Sequence, residues 1–149
     1  MKLDNYLIGV QRIFLDTAPV IYYVENHPIY GDVMQKVIDR LDDGSLKGII
    51  SPVTLAECFI IPLKQQQKKI LQDFADFLLH HQSINMVTIE TNIALLAAQL
   101  RVQYGLKLPD AFQIATAIRS NCDVFLTNDQ QIRRVADLQI LVIADFINS

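Results

Sequence analysis

Three acids stand alone in apolar surroundings. Asp16 is the only charge in IFLDTAPVIYYV (13–24), Glu57 the only one in GIISPVTLAECFIIPL (48–63), and Asp110 the only one in LPDAFQIATAI (108–118). A fourth acid, Asp129, closes the motif FLTND. Burying an unpaired carboxylate costs several kcal/mol, so such residues are either tolerated at a surface gap or kept for chemistry. Convergence would make them a metal site. Two carboxylates about 6 Å apart at an effective dielectric near 20 repel by about 3 kcal/mol, and a cluster of them needs protons or cations. An all-oxygen set without His or Cys suits Mg²⁺ or Mn²⁺. Two of the acids also have an ordinary alternative. Asp110 and Asp129 sit where first-turn acids meet the positive end of a helix. Glu57 lies too deep in its segment to cap anything.

The elements that must position these acids alternate between strand and helix. RIFL (12–15) reads as a strand ending at Asp16, with Thr17 as cap of a following helix and Pro19 in its first turn. Apolar spacing at Val33, Val37, Ile38 and Leu41 predicts a helix that stops at Asp42-Asp43-Gly44-Ser45. GIIS (48–51) is the second strand, and Ser51-Pro52 opens the helix that carries Glu57, with Pro62 expected to end or kink it. A helix is read from Gln65 to His81, its QQQKK start a solvated face. The third strand is NMVTI (85–89). The stripe Ile93, Leu96, Ala97, Leu100 then gives a helix closed by Gly105, and Pro109-Asp110 opens another. DVFLT (123–127) and QILVI (139–143) complete the strands. Apolar strands separated by amphipathic helices predict a three-layer α/β/α sandwich with a mainly parallel sheet. In such sheets the site lies beyond the carboxyl ends of the strands, where Asp16, Glu57 and Asp129 fall. The position of Asp110 at a helix start does not by itself place it on that edge.

At 149 residues the chain is expected to form one domain, with its core from about residue 12 and a short extension, 1–11, ahead of it. Apolar runs are too short to span a membrane, and no export signal is read, so a cytoplasmic protein is expected. Cys58 and Cys122 read as reduced core residues, and His27, His80 and His81 as surface residues. A net charge of −3 argues against binding nucleic acid by a broad basic surface and leaves room for a local strip.

Taken together, LDTAPVIYYVE, SPVTLAE, LKLPDAFQIATA and FLTND, in this order, resemble the PIN-domain nucleases, including the VapC-type toxins of prokaryotic toxin–antitoxin pairs. The resemblance implies a metal-dependent endoribonuclease in which Asp16, Glu57, Asp110 and Asp129 hold Mg²⁺ or Mn²⁺. It implies orienting roles for Thr17, Thr127 and Asn128, an antitoxin partner and a homodimer. Lys107, Arg119, Arg133 and Arg134 are candidates for RNA contact. Alternatives are a stand-alone RNA-processing nuclease, or the same fold used only to bind RNA or protein. A phosphoacceptor domain is set aside, because it would want paired acids after strand one and Lys after strand five, where this chain has DT and AD.

Overall fold

The computed structural model describes residues 2–148. Among them, five strands form one all-parallel sheet: β1 (Arg12–Leu15), β2 (Lys47–Ile50), β3 (Ile84–Met86), β4 (Val124–Thr127) and β5 (Gln139–Val142), in the order β3-β2-β1-β4-β5. The chain builds outward from β1 to β3, then returns to lay β4 on the other flank of β1. The switch in strand order therefore falls between β1 and β4, and their carboxyl ends border the crevice where α/β sheets place ligands.

Both faces are covered, which explains why the strands read as unbroken apolar runs. Ile13, Leu15, Ile50, Val124 and Leu126 point to one face, under α2 (Thr17–Val24), α3 (Gly31–Asp42), α4 (Pro52–Lys64) and α5 (Lys68–His80). Phe14, Ile49 and Phe125 point to the other, under α6 (Thr91–Tyr104) and α7 (Leu108–Arg119). Phe14 and Phe125 face each other across the β1–β4 pair with centroids 5.0 Å apart and planes 2° from parallel. Gly48 permits the close β2–β3 approach, since a Cβ there would stand 2.5 Å from Cδ1 of Ile84. The N-terminal segment joins the packing: helix α1 (Leu3–Tyr6) buries Leu3, and Leu7 follows it into the same core.

Several expectations need correction. Pro62 does not end α4, which runs on to Lys64; only two residues follow it there, so the lost N–H and the clash with the preceding turn fall where the helix is ending anyway. Gln65–Gln67 form a turn, with Gln66 at φ 55°, and α5 begins at Lys68. The third strand covers 84–86, shorter than NMVTI and starting one residue earlier. Two histidines are structural. His27 accepts the Ile29 and Tyr30 amides at Nδ1 and packs between Tyr22 and Tyr30. His81 accepts the Ser83 amide at Nδ1 and lies 2.7 Å from Asp42 through Nε2, so Nε2 carries the proton and donates. His80 is exposed, as expected, and both cysteines are buried and free.

Candidate active site

Asp16 leaves the end of β1 at the switch point, and its amide donates to the carbonyl of Leu126 on β4. This aspartate, not Thr17, caps α2: its Oδ1 accepts the Thr17 amide at 2.9 Å. Aspartate is as good a cap as threonine, and taking that role one residue earlier frees the Thr17 side chain. Oδ2 of Asp16 accepts from the hydroxyl of Thr127 at 2.8 Å. Desolvation pushes the Asp16 carboxyl up to about 6, against the pull of the Thr127 and Thr17 hydrogen bonds, and the charges of Asp110 and Glu57 raise it further.

Glu57 reaches this edge from the second turn of α4. Ser51 sets the helix in place by accepting the Val53 amide at 3.0 Å, and Pro52 supplies the first helical position. Thr54, Cys58 and Pro62 form the buried face, which turns Glu57 outward. The freed Thr17 hydroxyl donates to its Oε1 at 2.7 Å. Glu57 is thus an exposed acid at the sheet edge, despite its apolar neighbours in sequence.

Asp110 opens α7, and the structure resolves where that helix starts. At its far end the Ser120 carbonyl accepts from Nε of Arg12, the first residue of β1, so α7 runs antiparallel to the strands and begins at their carboxyl edge. Asp110 is half-buried. Desolvation raises its carboxyl, the charges of Asp129 and Glu57 raise it further, and Lys107 and Arg134 act in the opposite direction. Asp129 follows β4, caps a short 3-10 turn (Gln130–Arg134) through the Gln131 amide at 2.9 Å, and is exposed. Its own amide donates to Thr127 Oγ1 at 3.1 Å, so this one buried hydroxyl ties Asp129 to Asp16.

The four acids therefore share one edge and are electrostatically coupled through Asp110 and Asp16. No group of three or more His, Cys, Asp or Glu among the described residues is already set to hold one ion. The donor chemistry nonetheless fits a hard divalent cation: every candidate donor is a carboxylate, and a cation would offset their like charges. The Thr17 and Thr127 bonds fix the present orientations of Glu57 and Asp16.

The remaining expected residues divide. Lys107 and Arg134 line a cleft of about 170 Å³ with Asp110, Asp129 and Gln131. Arg133 is instead held by Asp145, with both contacts at 2.7 Å, and by Gln130 at 2.6 Å. Arg119 lies at the other end of α7, beside Thr88, Glu90 and Asn92. Asn128 donates to the Tyr22 hydroxyl at 3.1 Å and accepts the Ala144 amide at 3.0 Å, which uses both ends of its amide to anchor the strand end. The larger cavity, about 610 Å³ between α2, α3 and α5, is lined by none of the four acids.

One participant has no forerunner in the sequence reading. Gln113 of α7 is fully buried, pairs through Oε1 with the Ser51 hydroxyl, and donates from Nε2 to Thr54 Oγ1 at 2.8 Å. Its only sequence signal is a lone amide among the small apolar residues of DAFQIATA.

Comparison with solved structures shows the same fold. VapBC2 from Rickettsia felis, bound to a promoter DNA fragment, is 22% identical with TM-score 0.71, covering 89% of this chain and 98% of that one. DNA-bound VapBC from Salmonella typhimurium is 17% identical with TM-score 0.70, again covering 89% and 98%. VapC20 from Mycobacterium tuberculosis, described as a sarcin-ricin loop cleaving toxin, is 13% identical with TM-score 0.62, covering 76% and 86%. No curated protein matches the sequence. The PIN-domain family model matches residues 13–138, a span that includes all four acids and strands β1 to β4 but for the first residue of β1, and that ends just before β5; the chain belongs to the PIN-domain family.

Proposed function

We propose that this protein is a divalent-metal-dependent endoribonuclease, the toxin of a toxin–antitoxin pair, acting as a homodimer. The observation that carries the reading is the gathering of the acids at the β1–β4 switch, where the Thr127 hydroxyl contacts both Asp16 and Asp129, Thr17 beside Asp16 donates to Glu57, and Asp110 lines one cleft with Asp129. Asp16, Glu57, Asp110 and Asp129 would hold Mg²⁺ or Mn²⁺. When bound, the ion lowers the pKa of water and offsets charge on a scissile phosphate. The chain's own groups do the positioning. Thr127 aims Asp16 and Thr17 aims Glu57, each by donating its hydroxyl to a carboxylate oxygen. Lys107 and Arg134 stand beside Asp110 and Asp129, where they would draw an RNA phosphate to an otherwise acidic edge. Hydrolysis there would leave a 5′-phosphate and a 3′-hydroxyl.

The toxin role is supported by the company the fold keeps: the R. felis and S. typhimurium structures are of VapBC bound to DNA, and the M. tuberculosis protein is described as a sarcin-ricin loop cleaving toxin. Protein contacts are also supported by α4, which exposes Ile60, Ile61 and Leu63. Incubating purified protein and Mn²⁺ with a pool of structured RNAs tests the activity. Cleavage by the parent and none by Asp16→Asn supports the reading, and equal cleavage by both, or by neither, overturns it.

A further inference from the structure

We propose that Gln113 is a positioning residue, a buried amide clamp that holds the start of α4 to the start of α7 and so keeps Glu57 and Asp110 together against their mutual repulsion. The proposal deepens the reading of these acids as one site.

The geometry is specific. Gln113 follows Asp110 by three residues on α7, and Thr54 precedes Glu57 by three on α4, so the clamp lies about one helical turn, about 5 Å of rise, from each acid. Ser51 and Thr54, its two partners, are 0% exposed, and Gln113 is 1% exposed. The network closes on itself. The Ser51 hydroxyl and Gln113 Oε1 pair, Gln113 Nε2 donates to Thr54, Thr54 Oγ1 also receives the Ser51 amide at 3.4 Å, and Ser51 Oγ receives that of Val53. No buried side-chain polar atom among the described residues is left without a partner.

Stability alone does not explain an amide here. A buried hydrogen-bonded network contributes little more than well-packed apolar side chains of the same shape, while each unsatisfied atom in it costs heavily. Apolar packing, however, fixes neither direction nor register. Two hydrogen bonds from one planar amide to residues one helical turn apart do both. The clamp also joins the two helices that bring the like charges of Glu57 and Asp110 to one edge of the sheet.

A double-mutant cycle in metal-free protein tests this. Gln113→Leu is made in the parent and in Asp110→Asn, where the repulsion is gone. We expect it to lower Tm by several degrees in Asp110→Asn and by about half as much in the parent, where release of the helices relieves the repulsion and offsets part of the loss. A milder change, Thr54→Val, gives the same pattern if Gln113→Leu fails to fold. Equal losses in the two backgrounds overturn the clamp and leave Gln113 an ordinary core residue. Mn²⁺ calorimetry on the same proteins adds a second readout, with affinity about tenfold weaker in Gln113→Leu. Absence of Mn²⁺ binding by the parent would count against the proposed function, and the cycle, run without metal, would still decide the clamp.

Discussion

The hydroxyl of Thr127 donates to Oδ2 of Asp16 across the β1–β4 switch and accepts the amide of Asp129, so one buried side chain sets two of the four acids. Replacing it with Val keeps the shape and removes both contacts. Thr127→Val should cost about 1–3 kcal/mol in urea denaturation, because it leaves a carboxylate oxygen and an amide without a partner. Activity should fall about 10- to 100-fold as Asp16 loses its orientation. Full activity in a folded Thr127→Val protein would remove this residue from the site.

Asp16 gives the metal-free protein a defined pH dependence. Its carboxyl is raised from an ordinary 3.8 to about 6, so between those values the folded state binds more protons than the unfolded chain. Stability must then fall as pH rises through that window and level off above it. The full effect is on the order of 3 kcal/mol as an upper bound. Asp16→Asn, which retains an oxygen for the cap, should lack this loss: its advantage over the parent in EDTA should grow from about pH 4 to pH 6 and stay constant beyond. A parent that gains stability over that range relative to the variant would contradict the assigned shift.

Metal should reverse the penalty. Mn²⁺ at 100 times its dissociation constant adds about 2.7 kcal/mol to the folded state, visible as a higher Tm. Asp110→Asn should melt above the metal-free parent, gain less than the parent does from the same Mn²⁺ concentration and cleave nothing. Melting that ignores the metal, and is lowered by Asp110→Asn, would argue against clustered acids.

The cations should separate into two classes. Lys107→Ala and Arg134→Ala should raise KM and reduce the salt dependence of RNA binding, since both line the cleft with Asp110 and Asp129. Arg119→Ala, at the distant end of α7, should leave both quantities unchanged. Arg133→Ala should act on stability only, through its pair with Asp145. Equal effects from all four would mean that RNA is held by general charge rather than at this rim.

Local chemistry was legible and long-range chemistry was not. RIFL ending at an aspartate, Ser51-Pro52 at a helix start and Gly105 after an apolar stripe each carry their signal within a few residues, and each marks an element end in the structure. The alternation of strand and helix was enough for a parallel sheet covered on both faces. It was not enough to place Asp110: that α7 starts at the site edge follows from the contact of its far end with Arg12 of β1, 108 residues away, which spacing does not encode. Gln113 escaped for a similar reason, because its partners lie 59 and 62 residues away. Asn128 was legible only as a polar residue next to an acid, and its partners Tyr22 and Ala144 show it to be an anchor. The cap at Asp16 was misplaced by one residue, since Asp and Thr are near-equal caps and the choice is made by the second contact that each can form.

The central claim is that Asp16, Glu57, Asp110 and Asp129 act as one cation site, and calorimetric titration with Mn²⁺ tests it most directly. The parent should bind, and each single replacement, Asp16→Asn, Glu57→Gln, Asp110→Asn and Asp129→Asn, should weaken binding at least tenfold while the protein remains folded. Binding that survives unchanged in all four variants, or a folded parent that binds no Mn²⁺, would contradict it.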